Sequence, residues 1–167
     1  MSAEITEKLT AAALRRGQAL ERSLQIFPQI VIRGVDACGP GRTDMQYSEV
    51  VVAHFNQPRH AGRMENPDAL GLAGTPGAGP FMALYLRCSG GSVADAAYQT
   101  FGCAPAVAAG SVLTDWLIGR PLEDCHAMDE SALERLLGGL PEHKRFCAAI
   151  AVAALRAALS RVNRPPG

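Results

Sequence analysis

The sequence predicts an α+β fold in which a β-hairpin precedes a block of helices. Met82, Leu84, Leu86 and Cys88 alternate with Ala83, Tyr85 and Arg87, the period of a half-buried strand. Ser89-Gly90-Gly91-Ser92 supplies turn chemistry, and residues 93–101 run back as the antiparallel partner. Beyond Gly102 the chain passes into apolar, alanine-rich stretches bounded by Pro and Gly, which read as helices.

Taken in order, residues 5–24 read as a helix, with Leu9, Ala12, Ala13, Leu20 and Leu24 near helical spacing and charges between them. Residues 26–32 form a short β-rich run. Residues 38–44, Cys-Gly-Pro-Gly-Arg-Thr-Asp, are turn chemistry and place a boundary there, so that residues 1–44 form an N-terminal extension and residues 45–167 a domain of their own. Ser48 can cap a helix through Phe55 that Pro58 should end. Residues 67–80 are glycine-rich with sparse apolar positions and leave room for one short edge strand. After the hairpin, Pro105 suits the first turn of a helix that runs through Trp116 and Leu117 and stops at Gly119 and Pro121. Residues 131–137 read as a shorter helix, with Ser131 and Glu134 spaced as a capping box. A last helix runs from about Cys147 to Val162, and residues 163–167 should fray.

Composition narrows the function classes. The chain has 167 residues, about one domain, enough to bury a core without disulfides or a structural metal. Sixteen basic residues balance sixteen acidic ones, so no overall field would hold the protein on nucleic acid or an anionic membrane. The longest apolar stretches, residues 104–113 and 147–155, fall well short of the roughly 18–20 residues of a membrane span. The first residues mix both charges and lack a secretory pattern, which makes the cytoplasm the expected compartment. The five cysteines there would be free thiols, metal ligands or sulfur carriers rather than a disulfide framework.

Two of these cysteines stand out by position. Cys103 lies between the end of a strand and the first turn of a helix, and Cys147 lies at the start of another. Free N–H groups and the positive end of the helix dipole stabilise a thiolate at such places, and Lys144 adds a charge of the same sense near Cys147. A reactive or ligating thiol and a buried structural cysteine are both compatible with this placement. Cys88 falls on the apolar face of its strand and reads as packing; Cys125 and His126 are neighbours that seldom converge on one metal; Cys38 reads as an exposed linker thiol. His54 reads as a helix-surface or partly buried residue, and His60 and His143 belong to loops. No Gly-rich phosphate loop, Ser/His/Asp set or paired carboxylates suggest an enzyme.

The motifs together resemble the iron-sulfur cluster scaffolds of the NifU/IscU type. Residues 45–51, Met-Gln-Tyr-Ser-Glu-Val-Val, followed by Gln57-Pro58-Arg59-His60-Ala61-Gly62, are similar to the family's opening helix and its Asn-Pro-Arg-Asn-x-Gly loop. Residues 74–82 resemble Gly-Ala-Pro-x-Cys-Gly-Asp-x-Met, Phe101-Gly102-Cys103-Ala104 resembles Tyr-Gly-Cys-Gly or Tyr-Gly-Cys-Ala, and residues 140–147 resemble Leu-Pro-x-x-Lys-x-His-Cys. The resemblance implies a compact α+β domain, a small antiparallel β-sheet packed against helices, with three loops meeting at one end to hold a cluster. It implies a scaffold or carrier rather than an enzyme, one that receives sulfur from a cysteine desulfurase and passes a two-iron, two-sulfur cluster to acceptor proteins.

The chain departs from that pattern where the family places ligands. Ala78 replaces the first cysteine, Pro80 the aspartate and Phe146 the histidine, and none of these side chains has a lone pair to give to iron. The resemblance therefore leaves Cys103 and Cys147 as the ligands, for metal and for cluster alike. Two copies pooling these thiols as a homodimer, glutathione or a partner's cysteine would complete the shell. The family's chaperone-recognition segment, Leu-Pro-Pro-Val-Lys, is kept only in part as Leu140-Pro141-Glu142-His143-Lys144. Beside the scaffold stand a sulfur acceptor without a cluster, with Cys147 at the position family members use to receive persulfide, and a regulatory module that only docks on the desulfurase.

Overall fold

The computed structural model describes residues 47–162. The expected helix at 5–24, the β-rich run at 26–32, the boundary at 38–44 with Cys38, and the tail at 163–167 lie outside these residues.

In chain order the elements are α1 (Glu49–Asn56), β1 (Ala69–Gly74), β2 (Phe81–Ser89), β3 (Ser92–Phe101), α2 (Ala104–Leu117), a single turn α3 (Leu122–Cys125), α4 (Glu130–Leu136), a 3₁₀ turn (Glu142–Lys144) and α5 (Phe146–Val162). The strands form one antiparallel sheet in the order β1-β2-β3. Helices α2 and α5 cover one face of it, with α1 packed on α2 and α4 on α5. The α+β architecture expected from the sequence is the one observed.

Local chemistry explains each boundary. Ser48 accepts the Val51 N–H as the N-cap of α1, and its hydroxyl donates to the Leu137 carbonyl, which ties the start of α1 to the end of α4. The β2–β3 turn pairs Ser89 with Ser92 and holds Gly90 and Gly91 at φ 59° and 78°, the left-handed conformations that a tight two-residue hairpin needs. Helix α4 begins one residue earlier than the sequence suggests. Its N-cap is Asp129, whose carboxylate takes the Ala132 N–H at 2.6 Å, and Ser131 lies inside the helix. An ionised carboxylate makes the stronger bond and also complements the helix dipole, so it takes the cap in place of the Ser131 hydroxyl.

The strand at residues 81–89 corrects the expectation of one buried face. Phe81 to Leu86 are all buried. Met82, Leu84 and Leu86 join Tyr98, Leu113, Leu117 and Leu155 in the main core beneath the helices. Phe81, Ala83 and Tyr85 form a second cluster on the opposite face with Met64, which the loop before β1 lays over the sheet. Each fully buried Leu contributes about 1.5–3 kcal/mol relative to an exposed one, so the leucines of the main core dominate its cohesion.

Two glycines set how closely layers approach. A Cβ on Gly71 of β1 would lie 1.9 Å from the Ala154 carbonyl and 2.4 Å from the Ala158 nitrogen of α5. A Cβ on Gly110 of α2 would enter the Tyr98 ring at 2.3 Å. Both positions bring a backbone against its neighbour where a methyl group has no room.

The segment after α1 is fastened to α2 and to the sheet. Ser111, fully buried, accepts the Arg59 N–H at 2.8 Å and lies 2.8 Å from His54 Nδ1. Asp115 accepts from Arg59 Nη1 at 2.7 Å and from His60 Nε2 at 3.0 Å. His60, at φ 57°, turns the chain so that its carbonyl and the Gly62 N–H bond to Tyr98 along the free side of β3. The Gln-Pro-Arg-His stretch singled out in the sequence thus does structural work.

Candidate functional site

The site is built where β3 ends. Phe81 pairs with Phe101 at the end of the sheet, so the β1–β2 loop and the segment leaving β3 emerge together. Gly102 follows Phe101, and Cys103 is the N-cap of α2, in extended backbone at φ −82° and ψ 175°. Pro105 sits in the first turn, where its missing N–H costs nothing. The 3₁₀ turn at Glu142–Lys144 leads directly into α5, whose second residue is Cys147. Because α2 and α5 pack against each other, their N-terminal turns bring Cys103 and Cys147 together, with Sγ–Sγ 3.6 Å.

The two thiols differ in environment. Cys147 is fully buried, whereas Cys103 is partly open to solvent. A hydrogen bond from Cys147 is the main reason that the Cys103 thiol is pushed down to about 6 from an ordinary 9.0. Burial opposes the shift, while the Ala106 N–H and the Lys144 ammonium reinforce it. The thiolate form of Cys103 is therefore favoured near neutral pH, and in that form its sulfur accepts the hydrogen bond from the Cys147 thiol.

The other cysteines behave oppositely. Cys125 is fully buried, donates to the Pro121 carbonyl at 3.3 Å, and is pushed up chiefly by burial. Cys88 packs against the edge of the main core, its N–H bonded to Asp68, and burial raises its thiol also. His126 and His143 are exposed. His54 is half-buried and lowered by burial. Among the described residues no group of three or more His, Cys, Asp or Glu side chains is arranged to hold a metal ion.

The residues at the family's remaining ligand positions border the same end of the sheet. Ala78 and Pro80 are exposed on the β1–β2 loop, and Phe146, 40 % exposed, precedes Cys147. Phe101, 50 % exposed, lies two residues before Cys103, so each of the paired thiols is preceded closely in sequence by a partly exposed phenylalanine. The arrangement offers two sulfurs in contact, one of them partly accessible and favoured as a thiolate. It is suited to binding a soft metal, taking up sulfur or closing to a disulfide.

The contact between the thiols, and their unequal burial, had no sequence signature. The convergence of two helix starts was visible only as two separate positions.

Residues 46–165 match the family described as NifU-like N terminal domain. The chain is 37 % identical over 121 residues to the iron-sulfur cluster assembly scaffold protein IscU 1 of Archaeoglobus fulgidus, covering 72 % of this chain and 79 % of that one. It is 33 % identical over 120 residues to the iron-sulfur cluster assembly scaffold protein IscU of Escherichia coli K12, covering 70 % of this chain and 93 % of that one. The crystal structure of a proposed iron-sulfur cluster assembly scaffold for the SUF system from Fervidobacterium islandicum superposes with a TM-score of 0.55, 19 % identity, and coverage of 71 % of this chain and 99 % of that one. At that identity the likeness concerns the fold.

Proposed function

The chain belongs to the NifU-like N-terminal domain family, and on that premise we propose that it is an iron-sulfur cluster assembly scaffold that holds its cargo through Cys103 and Cys147. The observation that carries the ligand assignment is the pair itself, two sulfurs 3.6 Å apart at the starts of two helices. Thiolates are soft ligands that hold iron and sulfide well. A partly open position at Cys103 gives the cargo a way in and out.

The described residues supply two of the four ligands a cluster normally takes, and we assign the remaining two to groups from outside the chain. A second copy contributing its own Cys103 and Cys147, or a small thiol, supplies them. The cargo we assign is a two-iron, two-sulfur cluster. The partners are a cysteine desulfurase as sulfur source and acceptor proteins as recipients, in the cytoplasm. No helix among the described residues is long and apolar enough to cross a membrane.

Anaerobic reconstitution with ferrous iron and inorganic sulfide tests the reading. The expected product is brown, with acid-labile sulfide and iron in equal amounts, and both are lost in Cys103→Ala and in Cys147→Ala. Full cluster occupancy in either variant would show that the ligands lie elsewhere.

A further inference from the structure

The resemblance points to Cys147 as the residue that receives sulfur, yet Cys147 is fully buried. A persulfide carried by another molecule must be met by a thiol it can touch. In this pair that thiol is Cys103, partly open to solvent at the end of β3. Cys147 sits behind it at 3.6 Å.

We propose that Cys103 takes up sulfane sulfur from a persulfide donor and that the buried Cys147 then resolves it, releasing sulfide. The proposal deepens the scaffold reading and rests on it, because it says how the same two thiols obtain sulfide before a cluster is built. In the first step the Cys103 sulfur attacks the terminal sulfur of the donor persulfide. The donor leaves as a thiol, and Cys103 carries the extra sulfur. In the second step the Cys147 sulfur attacks Cys103 Sγ, the bond to the terminal sulfur breaks, and hydrosulfide departs.

The sulfane sulfur is reduced by two electrons, and the two thiols are oxidised to a disulfide. The thiol protons end on the departing donor thiol and on sulfide. An external dithiol then restores the pair by exchange.

Geometry favours the second step. The sulfurs are in contact, and closing them to a disulfide length of about 2.05 Å needs a movement of roughly 1.5 Å. The Lys144 ammonium interacts with the Cys103 sulfur, next to the terminal sulfur that takes up negative charge as hydrosulfide leaves. Burial of Cys147 keeps it from competing for the donor, so uptake and release fall to different residues.

The experiment treats the reduced full chain anaerobically with one equivalent of glutathione persulfide and reads sulfide release, free thiols and intact mass. The wild type should release about one sulfide per chain, lose about two thiols, and show a mass lower by about 2 Da, with a Cys103–Cys147 cross-link in its peptides. Cys147→Ser should instead keep an adduct of about 32 Da on Cys103 and release little sulfide, while Cys103→Ser should take up nothing. A stable sulfur adduct on the wild type without sulfide release overturns the proposal. So does an adduct on Cys147, or a glutathione adduct on Cys147→Ser. The wild-type result does not depend on any variant folding. Reconstitution from inorganic sulfide bypasses the step, so failure here with a normal brown product would sink this inference and leave the scaffold assignment standing.

Discussion

The hydrogen bond between the two thiols has a consequence that pH-dependent alkylation can read. With Cys103 pushed down to about 6 from 9.0, about 90 % of it is thiolate at pH 7, against about 1 % for an ordinary cysteine. Ionisation alone would raise its reactivity about 90-fold. A less basic thiolate is also a poorer nucleophile, and three units of pKa cost roughly 20-fold in attacking power. The net gain at pH 7 is then only about fourfold, so the rate is a weak test and the midpoint a strong one.

Stopped-time alkylation with iodoacetamide, mapped to the peptide carrying Cys103, should titrate near pH 6 in the wild type. Because the bond from Cys147 is the largest cause of the shift, Cys147→Ala should move that midpoint clearly back towards 9.0. Lys144→Ala should move it in the same direction, as the ammonium favours the thiolate both by its charge and by a hydrogen bond. A wild-type midpoint near that of a free cysteine, or one unmoved in Cys147→Ala, would refute the reasoning. The sign for stability follows from the same shift. A folded-state value below the unfolded one stabilises the fold above the unfolded value, and this contribution is lost as pH falls from about 9.0 to about 6. Stability should therefore decline through that window, and Cys103→Ala should flatten the decline.

Three further outcomes concern the frame that holds the site. Gly71→Ala should destabilise by at least about 1–3 kcal/mol in urea unfolding, because the new methyl meets backbone atoms of α5 that no rotamer change can clear; a change within about 0.5 kcal/mol would show that α5 can shift freely. Ser111→Ala should cost about 1–3 kcal/mol by leaving the Arg59 N–H without its acceptor, and should speed amide exchange at Arg59. Asp129→Ala should cost about 0.5–2 kcal/mol, whereas Ser131→Ala should cost almost nothing, since only the first caps α4. Equal losses in the two cap variants would restore the reading made from the sequence.

The strand at residues 81–86 shows why alternation was the weaker signal there. Met82, Leu84 and Leu86 marked one face, yet Phe81, Ala83 and Tyr85 between them are also apolar, an unbroken run that suits a strand covered on both sides. What covers the second face is Met64, from a loop with no periodicity of its own. The cap of α4 failed for a related reason. Asp129 and Ser131 are both good cap residues two positions apart, and spacing cannot rank a carboxylate against a hydroxyl.

Local chemistry was enough to specify the hairpin, the helix α2 that Cys103 caps, the helix start beside Cys147, and the family motifs that name the scaffold. Each depends on residues adjacent in the chain. Tertiary structure alone decided that the two sulfurs touch, that one is partly open while the other is enclosed, and that Gly71 and Gly110 are spacing devices. Contact, burial and charge coupling arise between segments 44 residues apart. They come into being only when α2 and α5 pack together on the sheet.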